Sequence, residues 1–255
     1  MNPIFYNPYT AVRRLLGGLL LWAVCVLAPF HAFGQDDDED DDQGNEFVYG
    51  INLNSNAGLI GGIIFRHSQP LSDRMYQHFG VELVNVKHPK EFRFQGGGNS
   101  FIYAKHNYLF ALRPHYGREI VLFRKAPEEG VRINLLAAAG PSIGIIKPYF
   151  VELAVSTTQT MIVQYDLDNP AHDQSQILGS TGLLRFNGTQ FAAGLHAKVG
   201  ATFVFGNFRS SVTGFEVGAL AEVYNRDIPI LKFSDVPNKQ FYSSVYLNLF
   251  FGGRK

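Results

Sequence analysis

Residues 191–205 read FAAGLHAKVGATFVF, and the large apolar side chains fall on every second position. Because successive side chains of a β-strand point to opposite faces, one face of this segment is apolar and the other is small or polar. The apolar face carries Phe191, Leu195, Val199, Phe203 and Phe205, whereas the opposite face carries Gly194, His196, Lys198, Gly200 and Thr202. The segment is also far longer than the roughly 5 or 6 residues of an ordinary strand. It therefore predicts a long strand with two chemically different faces.

The same alternation recurs through most of the chain. It predicts eight strands, at residues 57–68, 76–88, 99–113, 117–125, 131–147, 190–206, 211–225 and 240–251. Residues 46–54 alternate as well, and a further strand at 161–165 would bring the number to ten. Eight strands is the prediction, and ten is the alternative that the pattern leaves open.

The distribution of charge between the two faces indicates which face is buried. Charged side chains such as Lys198, Glu216 and Glu222 stand singly among glycines, and the apolar faces end in aromatic residues. Membrane barrels turn their apolar face to lipid and line their interior with polar and small residues. A closed barrel also leaves no backbone group of the wall unpaired within the membrane. The sequence thus predicts an all-β fold, a closed antiparallel transmembrane β-barrel, with short connections at one end and the long stretches 153–188 and 226–239 at the other.

The N-terminal region differs from the rest of the chain. Residues 1–34 have the pattern of a signal peptide, with Arg13 and Arg14 before an apolar run and a predicted cleavage before Gln35. Seven consecutive carboxylates follow at 36–42, so residues 35–45 are predicted to be a disordered acidic arm that precedes a barrel at 46–255. Cys25, the one cysteine, lies in the predicted leader, which excludes a disulfide framework in the mature chain.

A set of charged residues is predicted to lie inside the barrel. An eight-stranded barrel is just wide enough for its own side chains, so charges in its lumen must pair with each other. The predicted lumen network consists of Arg66, Glu82, Lys105, Arg113, Arg132, Lys198, Glu216 and Glu222. A hairpin centred near Asn207 would place Lys198 level with Glu216. Such a network predicts an interlocking plug, and the alternative is a narrow channel for ions or small solutes.

Sequence motifs that would indicate catalysis or metal binding are weak. We predict no catalytic residues, because no histidine stands next to a serine on one strand face near a rim. The histidines at 67, 78, 88 and 115 have no spacing typical of a metal site, and no cofactor or nucleic-acid partner is expected. The expected partners are outer-membrane lipid and other envelope proteins.

Four stretches of the chain together resemble a known family. They are residues 49–62 (YGINLNSNAGLIGG), 85–91 (NVKHPKE), 98–125, which include GNSFIYAKHNY and RPHYGREIVLFRK, and 140–152 (GPSIGIIKPYFVE). They resemble small outer-membrane β-barrel proteins of Bacteroidota, a family without an assigned activity. The resemblance implies a location in the cell outer membrane and a barrel architecture, and it transfers no functional residue.

Overall fold

The structure, a computed structural model, describes residues 44–95, 99–123, 130–156, 159–170, 172–182, 187–205, 211–232 and 238–254. The predicted signal peptide and all but the last two residues of the predicted acidic arm lie outside these ranges. Within them, no helix is long and apolar enough to cross a membrane.

Eight antiparallel strands form a closed barrel, as predicted. They are β1 (Glu46–Asn54), β2 (Gly58–Ser72), β3 (Met75–Val86), β6 (Asn107–Phe123), β7 (Arg132–Pro148), β11 (Gln190–Phe205), β12 (Ser211–Ile228) and β13 (Lys239–Arg254). Each strand pairs with the barrel strand that follows it in sequence, and β13 closes the ring on β1. The start of β1 and the end of β13 lie together at one end of the barrel, which we call the terminal end.

Five short strands lie at the opposite end and form a cap. A hairpin is built from β4 (Arg93–Gln95) and β5 (Ser100–Ile102), and a three-stranded sheet from β8 (Phe150–Ala154), β9 (Thr160–Gln164) and β10 (Ile177–Ser180). An apolar cluster that includes Phe101, Tyr149, Tyr165 and Ile177 joins the two. We call this the cap end of the barrel.

The outer surface of the wall is apolar, whereas the charges lie inside. Phe47, Phe65, Phe79 and Val199 are about half exposed, and Phe203 stacks on Phe215 across β11 and β12 with ring centroids 4.7 Å apart. Strands of 9 to 18 residues suit a tilted span, since such a span needs roughly 9 to 11 residues. This arrangement is that of a transmembrane barrel and not of a soluble one.

The total of eight was right, but the barrel does not consist of the eight segments that were predicted. Residues 46–54 form a full barrel strand, β1. Residues 161–165 contribute to β9, which belongs to the cap, so the ten-stranded alternative is not formed. The predicted strands at 99–113 and 117–125 are largely one strand, β6, while residues 100–102 form β5 of the cap.

Two prolines explain why one strand resembled two. The pairings Leu112↔Ile143 and Tyr116↔Ala139 place Pro114 opposite Pro141. Neither proline has an N–H group to donate, so the β6–β7 ladder is interrupted there. The register is the same on both sides of the interruption, and β6 remains paired with β3 through Val81↔Pro114. The strand therefore continues through a position at which the sequence pattern predicts a break.

We expect Val199→Arg to destabilise the barrel in lipid vesicles. Val199 lies in the central part of β11 and faces outward, and an arginine on the lipid face near the bilayer midplane costs about 2 to 4 kcal/mol. The matched control is Val155→Arg, because Val155 is comparably exposed but lies in the cap. Urea unfolding followed by heat-modifiable gel migration measures both variants. Equal midpoints for the two would contradict the assignment of the outer face to lipid.

Candidate functional site

Five charged side chains meet in the middle of the lumen. Arg66 Nη1 lies 2.7 Å from Glu216 Oε2 and 3.3 Å from Glu119 Oε1. Lys198 Nζ lies 2.6 Å from Glu82 Oε1 and 3.2 Å from Glu216 Oε1. All five are at most 5% exposed, so the attraction is weakly screened and each charge depends on its partners. The cluster joins strands from opposite sides of the barrel.

A second ion pair lies nearer the cap end. Arg113 donates from Nε and Nη2 to the two carboxylate oxygens of Glu222, at 2.9 and 2.7 Å. His196 on β11 pairs with Glu222 on the neighbouring strand β12, and His196 Nδ1 lies 3.0 Å from Ser142 Oγ. Serine, histidine and glutamate also occur together in hydrolases, but His196 and Ser142 are buried within the lumen, without a surface from which a substrate could approach.

A third ion-pair group lies near the terminal end. Glu46 accepts hydrogen bonds from Arg132 Nη2 and Arg254 Nη2, each at 2.7 Å to Oε1. The guanidinium of Arg132 also lies over the ring of Tyr76, 5.2 Å from its centroid. This group holds β1, β7 and β13 together where the barrel begins and ends.

A buried apolar segment, which we call the stopper, lies in the barrel mouth at the cap end. Residues 229–232 turn into the barrel mouth after β12, and Ile230 and Leu231 are 1% and 2% exposed. Backbone bonds hold the segment, because His106 N and Asn107 N both donate to Ile230 O. The two side chains pack in one cluster with Val86, Leu109, Ala111, Ile146, Ala192, Tyr224, Ile228 and Tyr242. The stopper therefore lies on the cap side of the Arg113–Glu222 pair.

Glycines of the wall make room for the large lumen side chains. Gly200 and Gly218 face each other on β11 and β12, and a Cβ at Gly218 would lie 2.6 Å from Tyr246 Oη. Tyr246 fills this space and donates a hydrogen bond of 2.8 Å to Glu216. The glycines among the charges thus let an aromatic ring cross the lumen and reach the central cluster.

Seven of the eight charged residues predicted for the lumen are on barrel strands and buried, and Lys105 is the exception. It lies in the cap, where its Nζ is 2.8 Å from both carboxylate oxygens of Glu91. The prediction placed it on a strand that continues from residue 99, but Ala104 has a positive φ of 55° and turns the chain before β6 begins at Asn107. Burial lowers the pKa of Lys105, whereas Glu91 acts in the opposite direction.

The predicted register between β11 and β12 was also wrong. Lys198 stands opposite Leu220, and Glu216 stands opposite Thr202, four residues from the predicted pairing. A register change by an even number keeps every side chain on the same face. Lys198 and Glu216 therefore both remain in the lumen, and the long lysine side chain spans the offset to a distance of 3.2 Å.

Several members of the network were missed from the sequence. Glu119, His78 and His115 are buried in the lumen, and Glu46 is the first residue of β1. Glu119 and His115 share the alternating face of Arg113, which shows only when residues 107–123 are taken as one strand. Glu46 directly follows the acidic arm, and nothing in the pattern separated it from those carboxylates.

A cavity of about 430 Å³ opens in the cap beside the barrel rim. Its wall comes from the end of β3, the segment that leads into β4, the β4–β5 hairpin, the start of β6 and β10. The pair of Lys105 with Glu91 forms part of this wall, and the ammonium lies 4.5 Å from the ring centroid of Tyr108. Burial also raises the pKa of Tyr149, whose hydroxyl accepts a hydrogen bond from Ile102 N at 2.8 Å.

In the part of the chain that the structure describes, no three side chains of His, Cys, Asp or Glu are arranged to hold a metal ion. The lumen clusters pair carboxylates with cationic side chains, which already occupy the oxygens that a hard cation would need.

The contacts of Lys198 lead to a test by double-mutant cycles. We expect Lys198→Met alone to cost about 3 to 5 kcal/mol, since it leaves buried carboxylates unpaired. Adding Glu82→Gln should recover more of this loss than adding Glu216→Leu, because Glu216 keeps its contact with Arg66. Detergent unfolding midpoints of the single and double variants give the coupling energies. Simple additivity for both pairs would show that Lys198 has no stabilising partner in the lumen.

No protein-family model and no curated protein matches the chain. Among solved structures, it is similar in fold to Neisserial surface protein A, with 8% identity, a TM-score of 0.38 and coverage of 86% of this chain and 100% of that one. It is also similar to Ail, the attachment invasion locus protein of Yersinia pestis, with 10% identity, a TM-score of 0.36 and coverage of 84% and 99%. For the N-terminal β-barrel domain of Pseudomonas aeruginosa OprF, the identity is 10%, the TM-score 0.29 and the coverage 82% and 98%.

Proposed function

We propose that the protein is an integral barrel of the cell outer membrane with a structural or interaction role in the envelope. The apolar outer face and polar lumen support this location, since they suit a wall surrounded by lipid. The predicted signal peptide supports export. The relationship to small outer-membrane barrels of Bacteroidota stays a prediction from the sequence. Outer-membrane barrels have short turns in the periplasm and longer loops outside the cell. The terminal end would therefore face the periplasm, together with the acidic arm, and the cap would face the cell exterior.

The observation that carries the proposal is the occupied lumen. Below the stopper of Ile230 and Leu231 come the Arg113–Glu222 pair and then the central cluster around Glu216. A second apolar layer, with Val48, Ile64, Val204, Val212 and Phe250, lies toward the terminal end. We infer from these layers that side chains fill the lumen at several levels, as expected for a barrel of this strand number. A filled barrel is suited to anchoring the cap in the membrane. We propose neither transport nor catalysis for it.

One observation favours a narrow channel as a second candidate. Within the described residues, several buried lumen atoms have no hydrogen-bond partner, among them both ring nitrogens of His78, Asn134 Oδ1 and Thr202 Oγ1. Groups of this kind usually bind ordered water. A hydrated thread between the charged layers would let water, and then small ions, cross if the apolar layers opened.

Planar-bilayer recording separates the two functions. We expect the folded protein to insert without steady conductance, because apolar and charged layers both close the lumen. A reproducible unit conductance in the unaltered protein would contradict the proposal and favour the channel.

The stopper offers a matched variant for the same recording. Ile230→Ser combined with Leu231→Ser removes the apolar closure but leaves the ion pairs of Arg113 and Arg66 in place. We expect this variant to stay silent as well. Conductance in the stopper variant alone would show that residues 229–232 are a gate and that the charged layers do not seal the barrel.

A further inference from the structure

The cap cavity has an excess of positive charge. Its lining includes Lys87, Arg93 and Lys105 but a single carboxylate, Glu91. Both oxygens of Glu91 are engaged by Lys105. Among the described residues, no carboxylate forms a salt bridge with either of the other two cations. Two positive side chains thus line a concave surface, which favours an anionic ligand.

The cavity also presents polar groups suited to hydroxyls. Asn85 Oδ1 is buried and has no hydrogen-bond partner among the described residues. A buried acceptor without a partner costs free energy, and a turn of the Asn85 side chain toward the cavity would let a ligand hydroxyl remove that cost. Ser100 and Ser180 line the same space. The Ser180 hydroxyl is bonded to Tyr149, and the hydroxyl of Ser100 can both donate and accept. The ligand that fits this wall carries several hydroxyl groups as well as a charge.

Aromatic rings complete the lining. Tyr108 and Tyr149 meet edge to face with centroids 5.3 Å apart, and Phe92 and Phe101 add apolar surface. Aromatic faces pack well against the apolar side of a compact ring. The volume of about 430 Å³ lies within the range of roughly 300 to 1,000 Å³ typical of small-molecule sites. The space therefore suits a ligand of the size of one or two sugar rings.

We propose that this cavity binds a phosphorylated sugar. Arg93 and Lys87 would hold the phosphate, because guanidinium and ammonium groups form strong charge-assisted hydrogen bonds with phosphate oxygens. Asn85 and the serines would receive the sugar hydroxyls, and the aromatic rings would pack against the sugar ring. The ligand is either a free sugar phosphate or the phosphorylated saccharide headgroup of a lipid, since both have this chemistry. The proposal goes beyond the envelope role, and binding in detergent does not depend on the location of the barrel.

Titration calorimetry on the full chain in detergent tests the site, with glucose 6-phosphate, glucose and inorganic phosphate as probes. We expect glucose 6-phosphate to bind most tightly and its affinity to fall as the salt concentration rises. Lys87→Gln combined with Arg93→Gln should weaken it at least about tenfold, because hydrogen bonds to charged groups contribute that much. The control is Lys90→Gln combined with Arg74→Gln, which removes the same charges from exposed residues outside the cavity lining. Heat-modifiable migration verifies that every variant is folded.

Vesicles distinguish the two sources of the ligand. Protein is reconstituted with and without a phosphorylated disaccharide lipid, and retention of that lipid is compared with binding of free glucose 6-phosphate. Preference for the free sugar phosphate assigns a soluble ligand, and preference for the lipid assigns a headgroup. Absence of binding in both arms would overturn the proposal, as would equal binding of glucose and glucose 6-phosphate or equal losses in the cavity and control variants. None of these results depends on conductance, so the envelope role is tested separately.

Discussion

The carboxylate of Glu216 is the contact on which the interior of the barrel depends. It accepts hydrogen bonds from Arg66 on β2, Lys198 on β11 and Tyr246 and Asn248 on β13, at 2.7 to 3.3 Å. One carboxylate on β12 is thus bonded to three other strands. A charge so far from water is stable only when its oxygens are satisfied, and here the wall itself supplies every donor. The same contacts that satisfy the charge also hold opposite sides of the ring at a fixed distance.

This arrangement explains why the chain is polar inside and apolar outside. The closed ring of strands pairs the backbone groups of the wall, so apolar side chains are free to face outward. Glycines such as Gly200 and Gly218 then give the lumen the space that large polar side chains need. Apolar layers lie on both sides of the charged region, and ion pairs are stronger in surroundings of low dielectric constant than in water.

Much of the wall could be predicted from the sequence, whereas the cap could not. A period of two that continues for more than ten residues leaves little ambiguity, and it also assigned Arg66, Glu82 and Arg113 to the lumen because phase determines face. The cap strands have three to five residues, too few for a period to be recognised. Lys105 was misplaced because a single residue, Ala104, turns the chain and ends the alternation. The register of β11 against β12 depends on turn geometry, which alternation does not contain.

The facing prolines of β6 and β7 have a consequence for how the wall would come apart. A closed barrel has no edge strand, so none of its seams is weakened by position alone. Pro114 and Pro141 leave one seam without cross-strand donors at that level, although both strands run 17 residues. Local opening starts where the fewest hydrogen bonds must break. Within this seam, the amides beside the two prolines would therefore exchange with solvent sooner than those of the continuous ladder on either side, so the wall would loosen locally at mid-height.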